Sequence, residues 1–277
     1  MGFITVDQEN STSIDLYYED HGTGQPIVLI HGYPLSGASW EKQLPALLEA
    51  GFRVITYDRR GFGNSSKPSF GYEYDTLARD LDKIVTTLDL RDAILVGFSM
   101  GSGEVTRYLS NYGSERISKA ILAGPIPPYL LKTEDNPTGV DVSVFDGIKS
   151  AIAADRYTFA TQFFQNFFNS DVFLGTDRLS EDAVRANWNL ASIASSVGFL
   201  ACVDAWLTDF RDDLDAINVP LLIIQGDADR ILPIESTGAV LHKRLPDAEF
   251  VVIPDGPHAI ATTHAAEFNS ALLKFLA

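Results

Sequence analysis

Short apolar segments alternate with helical patterns along most of this chain, and that alternation limits the folds it can adopt. The segments PIVLI (26–30), RVITY (53–57) and AILVGF (93–98) are rich in β-branched residues and largely apolar on both faces. Such strands are typical of parallel sheets that are buried between helices. The sequence therefore predicts an α/β fold, with a mostly parallel, twisted sheet and helices on both faces. Further strands are predicted at 13–20, 117–124, 220–226 and 249–256, and helices at 38–50, 74–90, 101–113 and 264–277.

The pattern changes after the strand predicted at 117–124, because strand signals stop and aromatic residues become frequent. The segment FATQFFQNFFNS (159–170) has a helical pattern with aromatic side chains on much of its surface. We therefore predict a helical cap at 125–218, inserted into one core domain formed by 1–124 and 219–277. A cap over the edge of a sheet leaves a cleft, so a few of the aromatic side chains should line a pocket.

A serine lies between glycines at the point where a predicted strand becomes a predicted helix. The motif GFSMG places Ser99 two residues after Gly97 and two before Gly101. So tight a turn imposes a strained backbone on the serine, and side chains at the two flanking positions would clash. The pattern G-x-S-x-G has little specificity alone. Between a strand and a helix it indicates a nucleophile whose hydroxyl stands above the sheet, with the Met100 N–H facing the same space.

A serine nucleophile needs a base, and the base needs an acid that orients it. His258 follows the last predicted strand and is the predicted base, while His264 begins the final helix and is the less favoured candidate. The acid should follow the strand at 220–226, where Asp227 and Asp229 are both available. Spacing alone does not decide between these two aspartates.

The negative charge that develops on a carbonyl oxygen under attack needs two hydrogen-bond donors. The Met100 N–H, at the start of a helix, is one candidate. The loop HGYP (31–34) directly follows a predicted strand and suggests the Tyr33 N–H as the second donor. His31 is expected to brace this loop through hydrogen bonds.

Charge and composition exclude several classes of partner. The chain has 21 Lys and Arg against 37 Asp and Glu, a formal net charge of −16, so neither nucleic acid nor an anionic membrane is an expected partner. No basic and apolar leader is present, and no apolar segment approaches the roughly 20 residues of a membrane helix, which predicts a cytoplasmic protein. The single cysteine, Cys202, is predicted to be buried as a small apolar residue. No cluster of Cys and His has metal-ligand spacing, so no metal site is predicted.

Four long strings carry a resemblance to a known family: DLYYEDHGTGQPIVLIHGYPLSGASW, RVITYDRRGFGNSSKP, GYEYDTLARDL and LVGFSMGSGEVTRYL. They resemble the α/β-hydrolase superfamily and, within it, the cofactor-free bacterial haloperoxidases, a family that also holds perhydrolases, arylesterases and a γ-lactamase. The chain order of serine, aspartate and histidine is the order that this fold uses. The resemblance implies an α/β-hydrolase fold and chemistry without metal, haem or flavin.

The resemblance also implies individual roles. In the family the acid is the last aspartate before the residue pair that leads to LP, which is Asp229 in DADRILP. The same comparison points to His258 as the base and to Tyr33 and Met100 as oxyanion donors. It associates Pro34, which follows the oxyanion-loop aromatic, with acceptance of hydrogen peroxide in place of water. Members of the family form symmetric assemblies, so a homo-oligomer is a state to test.

Two positions depart from the family pattern. Gln225 stands where close relatives usually have histidine before the acid loop, and Ala259 stands where they often have glycine after the base. The proposed triad is unaffected, so these changes bear on substrate preference. The residues expected at the pocket are Pro34, Ile126, Trp206, Ile231 and Ala259.

The predicted function is a serine hydrolase that acts on small to medium carboxylic esters through an acyl-enzyme. A perhydrolase side activity is expected, in which peroxide attack releases a peracid. By resemblance, the peracid would then oxidise bromide or chloride away from the enzyme. Dehalogenases and epoxide hydrolases of this fold use an aspartate nucleophile, so Ser99 disfavours both. Lactone or γ-lactam hydrolysis remains open, and so does a ligand receptor that retains the triad.

Overall fold

An eight-stranded sheet forms the centre of the protein, which a computed structural model describes over residues 1–277. Its strands are β1 (Gly2–Glu9), β2 (Thr12–His21), β3 (Pro26–Ile30), β4 (Arg53–Tyr57), β5 (Ala93–Phe98), β6 (Ile117–Ala123), β7 (Leu221–Gly226) and β8 (Glu249–Ile253). Their order across the sheet is β1-β2-β4-β3-β5-β6-β7-β8. β2 pairs antiparallel with both β1 and β4, and every other pair is parallel.

Both faces of the central strands are buried, as their composition predicts. In β3, Ile27 and Leu29 belong to one apolar cluster, and Val28 and Ile30 belong to a second cluster on the opposite face. All four side chains are fully buried. Successive residues of a strand point to opposite faces, so a strand that is apolar throughout requires a covering layer on each side.

Ten helices supply these layers and the segment between β6 and β7. The helices are α1 (Leu44–Glu49), α2 (Tyr74–Thr87), α3 (Met100–Tyr112), α4 (Val142–Phe167), α5 (Ser170–Phe173), α6 (Glu181–Ser192), α7 (Ser196–Ala205), α8 (Gly238–Arg244), α9 (Ile260–Thr263) and α10 (Ala265–Leu276). Leu81 of α2 and Leu109 of α3 pack on the face of Val28, whereas Leu47 of α1 and Phe268 of α10 pack on the other face. The predicted α/β architecture is confirmed.

The structure corrects the predicted helix at 38–50. Residues Gly37–Trp40 form a short 3₁₀ helix, and α1 begins only at Leu44. Pro45 lies in the first turn of α1, where a residue without an N–H is tolerated. Within a longer helix the same proline would remove a hydrogen bond and clash with the preceding turn. Two strand predictions also change: β1 was not predicted, and the strand predicted at 249–256 ends at Ile253.

Between β6 and β7 the chain forms α4 to α7 and no strand of the sheet. α4 bends at Asp155, whose φ of −162° and ψ of 96° are not helical. The Asp155 carboxylate accepts hydrogen bonds from the N–H groups of Tyr157 and Thr158 and so caps the second half of α4. The exact limits of a cap at 125–218 stay a prediction. No single helix has the length and apolarity to cross a membrane, and the pair that meets both criteria together, α6 with α7, is bent by 96°.

Candidate active site

Ser99 occupies the turn between β5 and α3 with an unusual backbone conformation. Its φ of 53° and ψ of −118° lie in a region that residues with a side chain rarely adopt. The Ser99 N–H donates to the Ala123 carbonyl at 2.8 Å, and the Ser102 N–H donates to the Ser99 carbonyl at 2.9 Å. These bonds tie the strained turn to β6 and to α3. The predicted strand–turn–helix geometry around the serine is therefore present.

The two flanking glycines are required by close approach of the backbone. A Cβ atom on Gly97 would collide with the carbonyl of Gly101, and one on Gly101 would collide with the carbonyl of Ile30. Both obstacles are main-chain atoms at the centre of the fold, so neither could move aside at low cost. Only glycine at these positions lets α3 start this close to β3 and β5.

The structure brings Ser99, His258 and Asp229 into one hydrogen-bonded chain. The Ser99 Oγ lies 2.9 Å from the His258 Nε2, and the His258 Nδ1 lies 2.7 Å from the Asp229 Oδ2. A carboxylate can only accept, so Nδ1 carries the ring proton and Nε2 is free to accept from the serine hydroxyl. Ser99 and Asp229 are 7% and 6% exposed and His258 is 1% exposed, so the chain is shielded from bulk water.

The geometry separates the two aspartates that spacing left open. The Asp229 Oδ1 accepts from the N–H groups of Ile231 and Leu232 at 2.9 and 2.8 Å, which orients the Oδ2 toward the histidine. The Asp227 side chain is exposed, and its Oδ1 accepts from the Asp255 N–H at 2.7 Å. Asp227 therefore closes a turn and does not approach the imidazole. The buried Gln225, where relatives usually have histidine, has its Nε2 3.5 Å from the Asp229 Oδ2.

The remaining histidines lie outside this chain of hydrogen bonds. His264 is buried between α9 and α10, where its Nδ1 lies 2.9 Å from the Thr263 hydroxyl. His21 pairs with Glu19 in β2, and His242 lies half-buried in α8. His31 hydrogen-bonds within the loop at 31–34, through its Nδ1 to the Gly32 carbonyl at 2.8 Å.

A buried network connects that loop to α3. The Arg59 N–H donates to the His31 Nε2 at 3.0 Å, and the Arg59 side chain donates to the His31 carbonyl and, at 2.8 Å, to the Glu104 carboxylate. Burial lowers the pKa of His31 well below its usual value, and the Arg59 charge lowers it further, so the ring stays neutral. Since Arg59 and Glu104 are both fully buried, this ion pair fixes the position of the loop relative to α3.

The two predicted oxyanion donors are both available. Neither the Met100 N–H nor the Tyr33 N–H donates a hydrogen bond to another group of the chain. Met100 is the first residue of α3, where a backbone N–H has no partner within the helix. The Tyr33 hydroxyl donates to the Phe199 carbonyl at 2.9 Å, which attaches this loop to α7. The loop at 31–34 is thus held by hydrogen bonds from Arg59 and to α7, while the Tyr33 N–H has no hydrogen-bond partner within the chain.

A pocket of about 410 Å³ opens in front of Ser99. Of the residues expected there, Ile126, Trp206 and Ile231 line it, together with Tyr33. Most of the lining is apolar, and the other apolar residues at its wall are Leu130, Val140, Val144, Phe145, Ile148, Phe159, Phe163, Leu232 and Pro233. A cavity of this size and polarity is typical of sites for small organic molecules.

Pro34 and Ala259 are not at the wall of this pocket, contrary to expectation. Pro34 is buried in a turn closed by a hydrogen bond from the Leu35 N–H to the Gly32 carbonyl, directly after Tyr33. The Ala259 N–H donates to the Phe167 carbonyl at 2.9 Å. Ala259 lines a separate small cavity behind the histidine, because this bond turns it toward the end of α4.

One face of α4 was not identified from the sequence as part of the pocket. Phe159, Gln162, Phe163 and Asn166 all line it. The last three follow Phe159 by three, four and seven residues, which is the spacing of one helix face. This spacing within the aromatic segment could have identified the face from the sequence. The cysteine follows its prediction: Cys202 is buried in α7, and burial raises the pKa of its thiol to about 12.

Comparison with known proteins places this geometry in a family. The family model described as the alpha/beta hydrolase fold matches residues 25–265. A protein of Synechocystis sp. named as a candidate non-heme chloroperoxidase is 63% identical, and the match covers 100% of each chain. A bifunctional esterase/perhydrolase of Acinetobacter calcoaceticus is 32% identical over 100% of this chain and 99% of its own.

A solved structure agrees with these sequence relatives. The crystal structure of a bromoperoxidase from Bacillus anthracis superposes with a TM-score of 0.95 at 50% identity, and the match covers 99% of each chain. The chain therefore belongs to the alpha/beta hydrolase fold family, among its non-heme haloperoxidase and esterase members.

Proposed function

We propose that this protein hydrolyses small to medium carboxylic esters through an acyl-enzyme on Ser99, and that it also transfers the acyl group to hydrogen peroxide. The observation that carries the proposal is the hydrogen-bonded chain from Ser99 through His258 to Asp229, with distances of 2.9 and 2.7 Å, in front of a largely apolar pocket. A pocket of about 410 Å³ suits an acyl group of modest size.

In the first half-reaction the Ser99 Oγ attacks the ester carbonyl carbon, and the His258 Nε2 takes the hydroxyl proton. Asp229 keeps the imidazole in the required tautomer and stabilises its cationic form. The carbonyl oxygen becomes an oxyanion, which accepts hydrogen bonds from the N–H groups of Tyr33 and Met100. One such donor contributes about 3 kcal/mol to the stability of the transition state. The tetrahedral intermediate then collapses, and His258 protonates the departing alcohol.

The second half-reaction offers a choice of nucleophile. If water attacks the acyl-enzyme, a carboxylic acid leaves; if hydrogen peroxide attacks, a peracid leaves. In both cases His258 accepts the proton of the nucleophile and returns it to the Ser99 Oγ. A peracid released into solution can transfer an oxygen atom to bromide or chloride and become the carboxylic acid. The name of the Acinetobacter relative, which joins esterase and perhydrolase, supports this pair of reactions.

The test is a substrate panel. Purified protein is assayed with p-nitrophenyl acetate, longer p-nitrophenyl esters, a γ-lactone and a γ-lactam, each with and without hydrogen peroxide. We expect rapid turnover of the short esters, and peracid formation when acetate or its ester is supplied with peroxide. Faster turnover of the lactone or lactam than of every ester would favour the alternative hydrolase function. Absence of turnover, with tight binding of a small molecule, would favour a receptor.

Pro34 provides a prediction about the choice between water and peroxide. Pro34 does not line the pocket but directly follows Tyr33, whose N–H is a proposed oxyanion donor. We expect Pro34→Leu to lower the ratio of perhydrolysis to hydrolysis severalfold, measured as the peracid and the carboxylic acid formed from one ester in the presence of peroxide. An unchanged ratio would contradict the role that the family resemblance assigns to Pro34.

Four further expectations complete the proposal. Residues 125–218 act as the cap of a core made of 1–124 and 219–277, since the segment supplies the wall of the pocket opposite Ser99. The substrate is a small acyl compound. Residence in the cytoplasm and assembly into a homo-oligomer stay predictions.

A further inference from the structure

The turn that follows α4 contacts both of the loops that carry the acid and the base. The N–H of Ala259, which directly follows the base, donates to the Phe167 carbonyl at 2.9 Å. The Asn169 Nδ2 donates at 2.9 Å to the carbonyl of Ala228, which directly precedes the acid. One segment of three residues therefore binds the neighbours of both partners in the acid–base hydrogen bond.

Asn169 has a backbone conformation that limits which residues can occupy the position. Its φ of 47° and ψ of 56° are left-handed, and asparagine and glycine are the residues that adopt this conformation most readily. Asn169 is 2% exposed, and its side chain makes one hydrogen bond, through Nδ2, while its Oδ1 is buried without a partner.

The backbone conformation alone does not explain why this position is an asparagine rather than a glycine. A buried acceptor without a partner costs about 1–3 kcal/mol. Glycine would satisfy the left-handed backbone without that cost, so the backbone conformation by itself does not explain the amide. The hydrogen bond from Nδ2 to the Ala228 carbonyl is the one favourable polar contact that the side chain adds.

Phe167, at the other end of the segment, also contacts the imidazole. The Phe167 and His258 rings meet edge to face with centroids 5.3 Å apart, and the Phe98 ring, which also contacts Phe167, lies 5.0 Å from the imidazole. The two phenyl rings restrict rotation of the imidazole, while the Phe167 carbonyl holds the backbone of the next residue. The end of α4 thus contacts both the imidazole of His258 and the loop that carries it.

We propose that Phe167–Asn169, named the loop brace, sets the separation of Asp229 and His258, with Asn169 as a positioning residue. The inference rests on the proposed function, because it assigns the brace to the acid–base pair of that reaction. The loop brace begins at the last residue of α4, the helix that lines the pocket. In the proposed reaction, one helix therefore contacts the acyl group and also holds the loops of Asp229 and His258.

The decisive variant is Asn169→Gly. Glycine retains the left-handed backbone and removes the bond to Ala228, and the loss of the unpaired Oδ1 compensates in stability, so the thermal unfolding midpoint should stay near that of the wild type. A loosened acid–base pair should lower kcat for p-nitrophenyl acetate by about 10- to 100-fold. KM should change little, because Asn169 does not line the substrate pocket.

Two further measurements separate positioning from a general structural role. The proton between the His258 Nδ1 and Asp229 should give a far-downfield ¹H resonance, which Asn169→Gly should shift upfield or broaden beyond detection. The matched control is Asn10→Gly, which makes the same substitution at a left-handed, exposed asparagine in the turn between β1 and β2. Asn10→Gly should leave both kcat and the resonance unchanged.

Wild-type kcat together with an unshifted resonance in folded Asn169→Gly would overturn the proposal. Asn169→Asp provides a second route, since aspartate fills the same space and tolerates the left-handed backbone but, when ionised, cannot donate to the Ala228 carbonyl. It should also lose kcat at pH values where the introduced carboxyl is ionised, and full activity there would equally contradict the brace. The resonance is measured without substrate, so failure of the wild type to hydrolyse esters would refute the proposed function and leave the test of the brace intact.

Discussion

Ser99→Ala is expected to abolish ester hydrolysis and peracid formation together, with kcat for both falling by about 10⁴- to 10⁶-fold. The variant removes the Oγ that lies 2.9 Å from the His258 Nε2, so no acyl-enzyme can form. His258, Asp229 and the two N–H donors would remain in place. Residual activity would therefore report what the pocket and the donors achieve without a covalent intermediate. Hydrolysis is followed by p-nitrophenol release and peracid formation by halide oxidation in acetate and peroxide.

The control for this variant is Ser150→Ala, at an exposed position of α4 that does not line the pocket. It should retain full activity in both assays. Circular dichroism should show the same fold for both variants, since alanine adds no atoms to the turn. Halogenation that survives in folded Ser99→Ala would mean that a different site performs the oxidation, and the common acyl-enzyme would have to be abandoned.

Asp229→Asn is expected to lower kcat by about 10⁴-fold. The carboxylate accepts the proton of the His258 Nδ1 at 2.7 Å, whereas an amide nitrogen at that position would donate and favour the other tautomer of the imidazole. The Nε2 would then carry a proton and could not accept one from Ser99. The loss should appear in both half-reactions, because the same imidazole activates the serine and the second nucleophile.

Asp227→Asn is the matched control, with the same change of chemistry two residues away. Asp227 is exposed, and an asparagine Oδ1 could still accept from the Asp255 N–H, so activity and stability should stay close to those of the wild type. Assaying the two variants side by side with p-nitrophenyl acetate gives the ranking. If Asp227→Asn were the more damaging substitution, the acid would have been assigned to the wrong residue.

The sites that could be predicted from the sequence are those whose chemistry depends on neighbours in the chain. The strand–turn–helix arrangement at Ser99 needs a buried strand, two glycines and the start of a helix. All of these features lie within about a dozen consecutive residues of the sequence. The strands β3, β4, β5 and β7 were recognisable because strands buried on both faces are largely apolar along their whole length. The prediction of one helix at 38–50 was wrong because the spacing of apolar residues carries no information about the missing N–H of Pro45.

The residues that local sequence patterns by themselves did not assign act across the fold, although the family resemblance had pointed to Asp229. Asp227 and Asp229 differ by two positions in one loop, and only the bonds of Asp229 to Ile231 and Leu232 turn its carboxylate toward the base. Pro34 and Ala259 adjoin site residues in sequence yet do not line the pocket. The hydrogen bond from Asn169 to the Ala228 carbonyl joins residues that are 59 apart in the chain, and no local sequence pattern predicts it.

The sequence alone determined the α/β architecture and the glycine-flanked turn at Ser99, and it led to the proposal of His258 as the base, because hydrophobic periodicity and the need for residues without side chains depend on neighbouring positions in the chain. Only the tertiary structure showed which aspartate lies against His258, which residues form the wall of the pocket and how Phe167–Asn169 contacts the two loops. These depend on where loops from distant parts of the chain meet, and that meeting is set by the packing of helices on the sheet rather than by any short segment.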